Sequence, residues 1–172
     1  MLDLLLEPTA MFVKGGIKAF RKSQEHHNLL IAVQDRIRRE VKFNTALLQE
    51  FTKYKNSDSP EEYLCLTLIK ALETEAFDEI NKGVLPLSMF FEQKSLKSDF
   101  PKWPEKEKYF KWMENIITQY DLLERIYHRI KLIKTFAEGN RVQGNVRYIQ
   151  FMLIGLQKSI ANTDIQSTSN NN

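Results

Sequence analysis

A single apolar stripe constrains this chain more than any other feature. Between Pro104 and Ala137 there is no glycine and no further proline, and Tyr109, Met113, Ile116, Tyr120, Leu123, Tyr127 and Ile130 recur at alternating steps of three and four. A helix returns to the same side every 3.6 residues, so this spacing lays one seam along one helix face. A strand, whose side chains alternate at every second residue, cannot use it. The spacing predicts one helix of roughly 50 Å at ~1.5 Å per residue. A seam of that length needs neighbours of similar length to cover it. The expected fold is therefore all-α: an elongated bundle of four long helices, with an N-terminal amphipathic helix, a short helix in a crossover and a short disordered C-terminal tail.

The rest of the chain divides around that stripe. Residues 1–23 form the expected N-terminal amphipathic helix, with Leu5, Leu6, Phe12, Val13, Gly16, Ala19 and Phe20 on one face. Residues 24–162 make the bundle. Its first helix, Gln24 to Lys55, is lined by Leu30, Val33, Ile37, Asn44, Leu47, Leu48, Phe51 and Tyr54. Asn44 falls on this seam, where a buried amide fixes register at some cost in stability. Ser59-Pro60-Glu61-Glu62 reads as a helix start, with Ser59 the cap and Glu62 closing a capping box. From there a helix is expected to run to Lys82 and stop at Gly83. Residues 84–93 can form a short helix after Pro86, and 94–103 read as a polar crossover closed by Pro101 and Pro104. The striped helix ends at Glu138-Gly139-Asn140. The short turn there sets the last helix, about Arg141 to Ile160, antiparallel to it. Residues 163–172, rich in Ser, Thr and Asn, are expected to be a disordered tail.

Composition excludes several classes of function. Net charge is +3 and charged residues make up 27% of the chain, ordinary for a soluble protein and too mild to mark a nucleic-acid binder alone. Cys65, the sole cysteine, sits in apolar Tyr63-Leu64-Cys65-Leu66 and rules out an internal disulfide framework. No 18-residue apolar run is present, so no transmembrane segment is expected. The N-terminal stretch lacks the basic region of a secretory signal, and a cytoplasmic location follows as the default. The six glycines match neither dinucleotide nor phosphate-loop spacing, and no cofactor is expected. Nor is a metal site: adjacent His26 and His27 diverge by about 100° on a helix, and His128 has no second His or Cys at ligand spacing.

Charge is segregated along the chain. Arg125, Arg129, Lys131, Lys134, Arg141, Arg147 and Lys158 face Glu138 alone across that stretch, whereas Pro60–Lys82 carries Glu61, Glu62, Glu73, Glu75, Asp78 and Glu79 against Lys70 and Lys82. Folding at Gly139 brings the first set together. Arg125, Arg129, Lys131, Lys134, Arg141 and Arg147 thus form a candidate basic bundle end for phosphate groups, an acidic partner or anionic lipid. A second candidate is the N-terminal helix, whose Lys14, Lys18, Arg21 and Lys22 oppose Phe12 and Phe20, the make-up of a helix that docks on a partner or lies on a membrane surface. A third is aromatic: Trp103, Tyr109, Phe110 and Trp112 cluster at the start of the stripe, as core packing or as a platform for a base or a partner.

One short motif carries a resemblance. Arg21-Lys22-Ser23-Gln24-Glu25-His26 places an Arg and a His around four residues. This is similar to the catalytic motif of the HEPN ribonucleases, which are helical-bundle proteins. The resemblance spans six residues, lies near the N-terminus rather than opening a late helix, and has Lys22 where that family carries a polar residue. It implies RNA cleavage by Arg21 and His26 across a dimer. The residues otherwise point to a helical-bundle protein that binds another macromolecule, either a protein partner or a second copy of itself. Nucleic acid at the basic end and a membrane surface under the N-terminal helix are the alternatives.

Overall fold

The computed structural model describes residues 16, 19–56, 61–83 and 85–169, with side chains to 161. The fold is all-α, and among the described residues the only extended pairing is an isolated bridge between Lys94 and Thr118. In chain order the helices are α1 (Gln24–Lys55), α2 (Glu62–Lys70), α3 (Glu75–Asn81), α4 (Lys106–Trp112), α5 (Gln119–Glu138) and α6 (Val146–Ser169). Short 3₁₀ turns at Leu87–Phe90 and Lys97–Asp99 lie in the crossover. Among the described residues three helices are long rather than four, because two of the expected long helices are each broken.

α1 matches its expected bounds. Ser23 caps it, its hydroxyl accepting the His26 N–H at 3.1 Å. Leu29, Val33, Ile37, Val41, Leu48 and Phe51 then bury one face. The Ser59–Pro60 start expected for the next helix lies outside the described residues.

That next helix does not run unbroken to Lys82. It stops at Lys70 and restarts at Glu75, and α1 supplies the reason. Asn44 holds the Glu73 peptide from both sides: its Nδ2 donates to the Glu73 carbonyl and its Oδ1 accepts the Glu73 N–H, both at 2.8 Å. One turn earlier on α1, Glu40 accepts the Ala76 N–H at 2.7 Å and the Phe77 N–H at 3.4 Å. These are free donors of the first turn of α3, so a carboxylate from another helix caps it. The Tyr127 hydroxyl of α5 donates to the same carboxylate. The seam amide at Asn44 is thus buried as expected, but it grips a non-helical peptide.

The apolar stripe is likewise two helices. α4 ends at Trp112 and α5 begins after Thr118. Thr118 and Asp121 form a reciprocal capping box: the Asp121 N–H donates to the Thr118 hydroxyl at 3.1 Å, and Asp121 Oδ2 accepts the Thr118 N–H at 2.8 Å. The crossover takes further N–H groups of the new helix. Gln119 N–H donates to the Gln93 carbonyl at 2.7 Å and Tyr120 N–H to the Phe91 carbonyl at 3.0 Å. β-branched Ile116, Ile117 and Thr118 already disfavour a helix there.

α5 and α6 are antiparallel, as expected. Gln119, at the start of α5, donates to Ser159 late in α6 at 2.9 Å, while Ile133 lies against Gly144 just before α6. Gly144 has φ +109° and a Cβ there would meet Ile133 Cγ2 at 2.7 Å, so the turn requires glycine on both counts. α5 ends with Asn140 in the left-handed conformation (φ 56°) and the Arg141 N–H bonded to the Phe136 carbonyl at 2.9 Å. α6 starts at Val146, where Asn145 Oδ1 accepts the Tyr148 N–H at 2.9 Å, and its backbone continues through Ser169. Helix therefore extends past residue 162, where a tail was expected. No glycine or proline after Gly155 stops it. Gly155 itself lies under Phe100: a Cβ there would come within 2.4 Å of that ring.

Candidate functional site

The six cations expected at one bundle end are divided by their neighbours. Lys131 pairs with Asp78 of α3 and lies over the Phe77 ring, and Lys134 donates to the Leu72 carbonyl in the break between α2 and α3. Both have partners within the molecule that tie α5 to the acidic helix, Lys131 in an ion pair at the surface. Arg141 is exposed on the turn. Arg125, Arg129 and Arg147 are brought to a different surface, where α4, α5 and α6 meet.

That surface is built on aromatic rings. Trp103, Tyr109 and Trp112 come from the crossover and α4, Tyr148 and Phe151 from α6. Tyr109 is the hub, with ring centres 5.1 Å from Phe151, 5.2 Å from Tyr148, 5.5 Å from Trp112 and 6.4 Å from Trp103. Trp112 meets Tyr148 edge to face at 5.1 Å. Phe100 joins beneath, 5.0 Å from Phe151. The sequence cluster of Trp103, Tyr109, Phe110 and Trp112 is therefore core at Tyr109 and surface at Trp112, which is 41% exposed.

Cations lie across this ribbon. The Arg147 guanidinium sits 5.8 Å from the Trp103 ring centre and pairs with Glu105 at 3.2 Å. The Arg129 guanidinium sits 5.9 Å from the Tyr148 ring, and Lys108 Nζ 4.8 Å from the Trp112 ring. Arg125 is one turn before Arg129 on α5 and acts on the same tyrosine: burial pushes the Tyr148 phenol up, while Arg125 and Arg129 pull it back. The Tyr148 hydroxyl is buried and has no hydrogen-bond partner among the described residues. Sequence spacing did not single out Lys108 or Tyr148. The signals were there: Lys108 stands one helical turn before Trp112, and Tyr148 follows Arg147.

The N-terminal candidate is partly outside the described residues: Phe12, Lys14 and Lys18 lie there. Of the rest, Phe20 is 2% exposed and belongs to the core, packed edge to face on His26 at 5.3 Å. It is therefore not offered to a partner or a membrane, which corrects that expectation for this residue. Arg21 pairs with Glu92 at 2.6 Å, and Lys22 is exposed. The motif that resembles the HEPN ribonucleases is thus built into the packing. Arg21 is held by Glu92, and His26, stacked near Phe90 at 6.1 Å, has its Nε2 buried without a partner. Burial first, then Arg21, push the His26 imidazole below its ordinary value.

Burial pushes the Cys65 thiol up, the opposite of an activated nucleophile. Among the described residues no group of three or more His, Cys, Asp or Glu is placed to hold a metal ion, and no helix is long and apolar enough to cross a membrane. No family model matches the chain, and neither does any curated protein or solved structure.

Proposed function

We propose that this protein works by binding an anionic macromolecule through the face shared by α4, α5 and α6. The observation that carries the reading is the interleaving of Arg129, Arg147 and Lys108 with the Tyr148, Trp103 and Trp112 rings, with Arg125 beside them. Guanidinium groups within about 6 Å of an aromatic face are attracted to it and keep N–H groups for an anion. Glu105 offsets one of them, and Arg125 and Arg129 add charge without a carboxylate partner among the described residues. The test is retention on immobilised heparin, a generic polyanion, with elution followed against salt. Wild type is expected to elute late, and R125E/R129E early. Equal elution of the two removes the face from the reading.

A second reading, contact with a protein or a second copy of this chain, is favoured by exposed apolar side chains. Ile31 and Phe43 on α1 and Tyr63 on α2 are exposed, Tyr63 at 79%. Light scattering across a concentration series tests it. A monomer at every concentration, unchanged in F43S/Y63S, counts against self-association. A cytoplasmic setting belongs to the same proposal, since the lone thiol is buried and free.

A further inference from the structure

We infer that the anionic partner is a single-stranded nucleic acid, with a base stacked on Trp112 and the neighbouring phosphates held by Arg125 and Arg129. The inference rests on the proposed anion-binding face and adds the class of ligand. Three features of that face select it.

First, a carboxylate-rich protein or a sulfated polymer needs cations and no exposed ring. This face offers a tryptophan whose ring is supported from behind by Tyr109 and Tyr148, at 5.5 and 5.1 Å, and is partly open to solvent. A supported, exposed indole is a stacking platform, and stacking accepts any base because every base has a π-face. Second, the cation nearest to that ring is Lys108, a flexible side chain over the indole at 4.8 Å. An incoming base displaces its ammonium from the ring and frees it for the phosphate next in the strand. Third, Arg125 and Arg129 stand one helical turn apart on α5, flanking Tyr148, whose hydroxyl lacks an acceptor. Two guanidinium groups spaced by one turn can share one phosphate. The duplex form is disfavoured because its bases are already stacked on one another and their faces are closed to the indole.

The experiment uses the full chain and its own fluorescence, since both tryptophans of the sequence, Trp103 and Trp112, lie in this face. The probes are an oligothymidylate of about twelve nucleotides, within the reach of known single-strand sites, a duplex of the same length, and heparin. The oligothymidylate is expected to quench the tryptophan emission and to bind more tightly than the duplex. W112A is expected to weaken it about tenfold or more, W112F much less, and neither is expected to alter heparin binding. Should W112A fail to fold, as judged by circular dichroism, quenching in wild type and the affinity of W112F decide the matter. If heparin binds but the oligothymidylate neither quenches nor outcompetes the duplex, the inference is overturned and the anion-binding face stands. If nothing binds even at low salt, both fall.

Discussion

Removing one oxygen from the buried core tests how the two halves of the acidic helix are held. Tyr127 is fully buried, its ring stacked on Phe77 at 4.3 Å and 8°, and its hydroxyl donates to Glu40. Burial first, and then the Glu40 carboxylate, push the Tyr127 phenol far above its ordinary range, so it stays a donor at every working pH. Tyr127→Phe keeps the ring and its stack and deletes only that donor. Glu40 is 4% exposed and then keeps the Ala76 and Phe77 N–H groups alone. A hydrogen bond to a charged acceptor contributes about 1.5–3 kcal/mol. At ~2–4 °C per kcal/mol for a chain of this size, the midpoint of thermal unfolding should fall by about 3–12 °C. Urea unfolding followed by circular dichroism gives the same loss as a lower midpoint with an unchanged slope. In a Glu40→Gln background the tyrosine should matter less, because the charge it serves is gone, so the double-mutant cycle should show coupling. A Tyr127→Phe protein within about 0.5 kcal/mol of wild type, or strict additivity in the cycle, would refute the account of Glu40 as the cap that joins α1, α3 and α5.

Three further outcomes are expected. Gly155→Ala drives a methyl group into Phe100, closed in by Phe110 and Phe151, and should cost about 1–3 kcal/mol in urea midpoint, partly restored by Phe100→Leu. Thr118→Ala removes the cap of α5 and should cost about 1 kcal/mol, with faster amide exchange around 117–121 and not in α6. Burial and Arg21 hold the His26 imidazole below its ordinary 6.5 in the fold, so the unfolded chain binds more protons as pH falls through that value. Stability present above the ordinary value is then lost on acidification, and His26→Gln should flatten the dependence of thermal midpoint on pH as pH falls below 6.5; an unchanged slope places the sensitivity elsewhere.

How far the sequence foretold the structure depends on where each backbone N–H finds its partner. The extent of α1 was legible because apolar positions repeat with the helix period, and Val33, Ile37, Asn44, Leu48 and Phe51 of the expected seam are buried, whereas Tyr54 is exposed and Leu29 and Val41 take part instead. The break at Thr118 had a local sign as well, in Thr118-x-x-Asp121 after two isoleucines, but the uninterrupted apolar spacing across it pointed to one helix. The break between α2 and α3 had none. Asn44 and Glu40 stand 29 and 36 positions before the backbone groups they hold, and no pattern around residues 71–74 records that. The candidate site follows the same division. Lys131 and Lys134 read as cations of one basic cluster in the sequence, and in the fold each meets a distant partner, Asp78 and the Leu72 carbonyl.

The sequence by itself determined that the chain is helical, where α1 lies, that α5 and α6 are joined by a tight antiparallel turn, and that the aromatic residues near Trp112 gather at one place. Each follows from periodicity, a cap or a turn residue acting over a few positions. Only the tertiary structure decided which cations remain available, where the long stripe is cut, and that Arg125, Arg129, Arg147 and Lys108 share one aromatic face. Those outcomes turn on groups far apart in the chain competing for the same carboxylate, carbonyl or ring, and that competition is settled only when the helices pack.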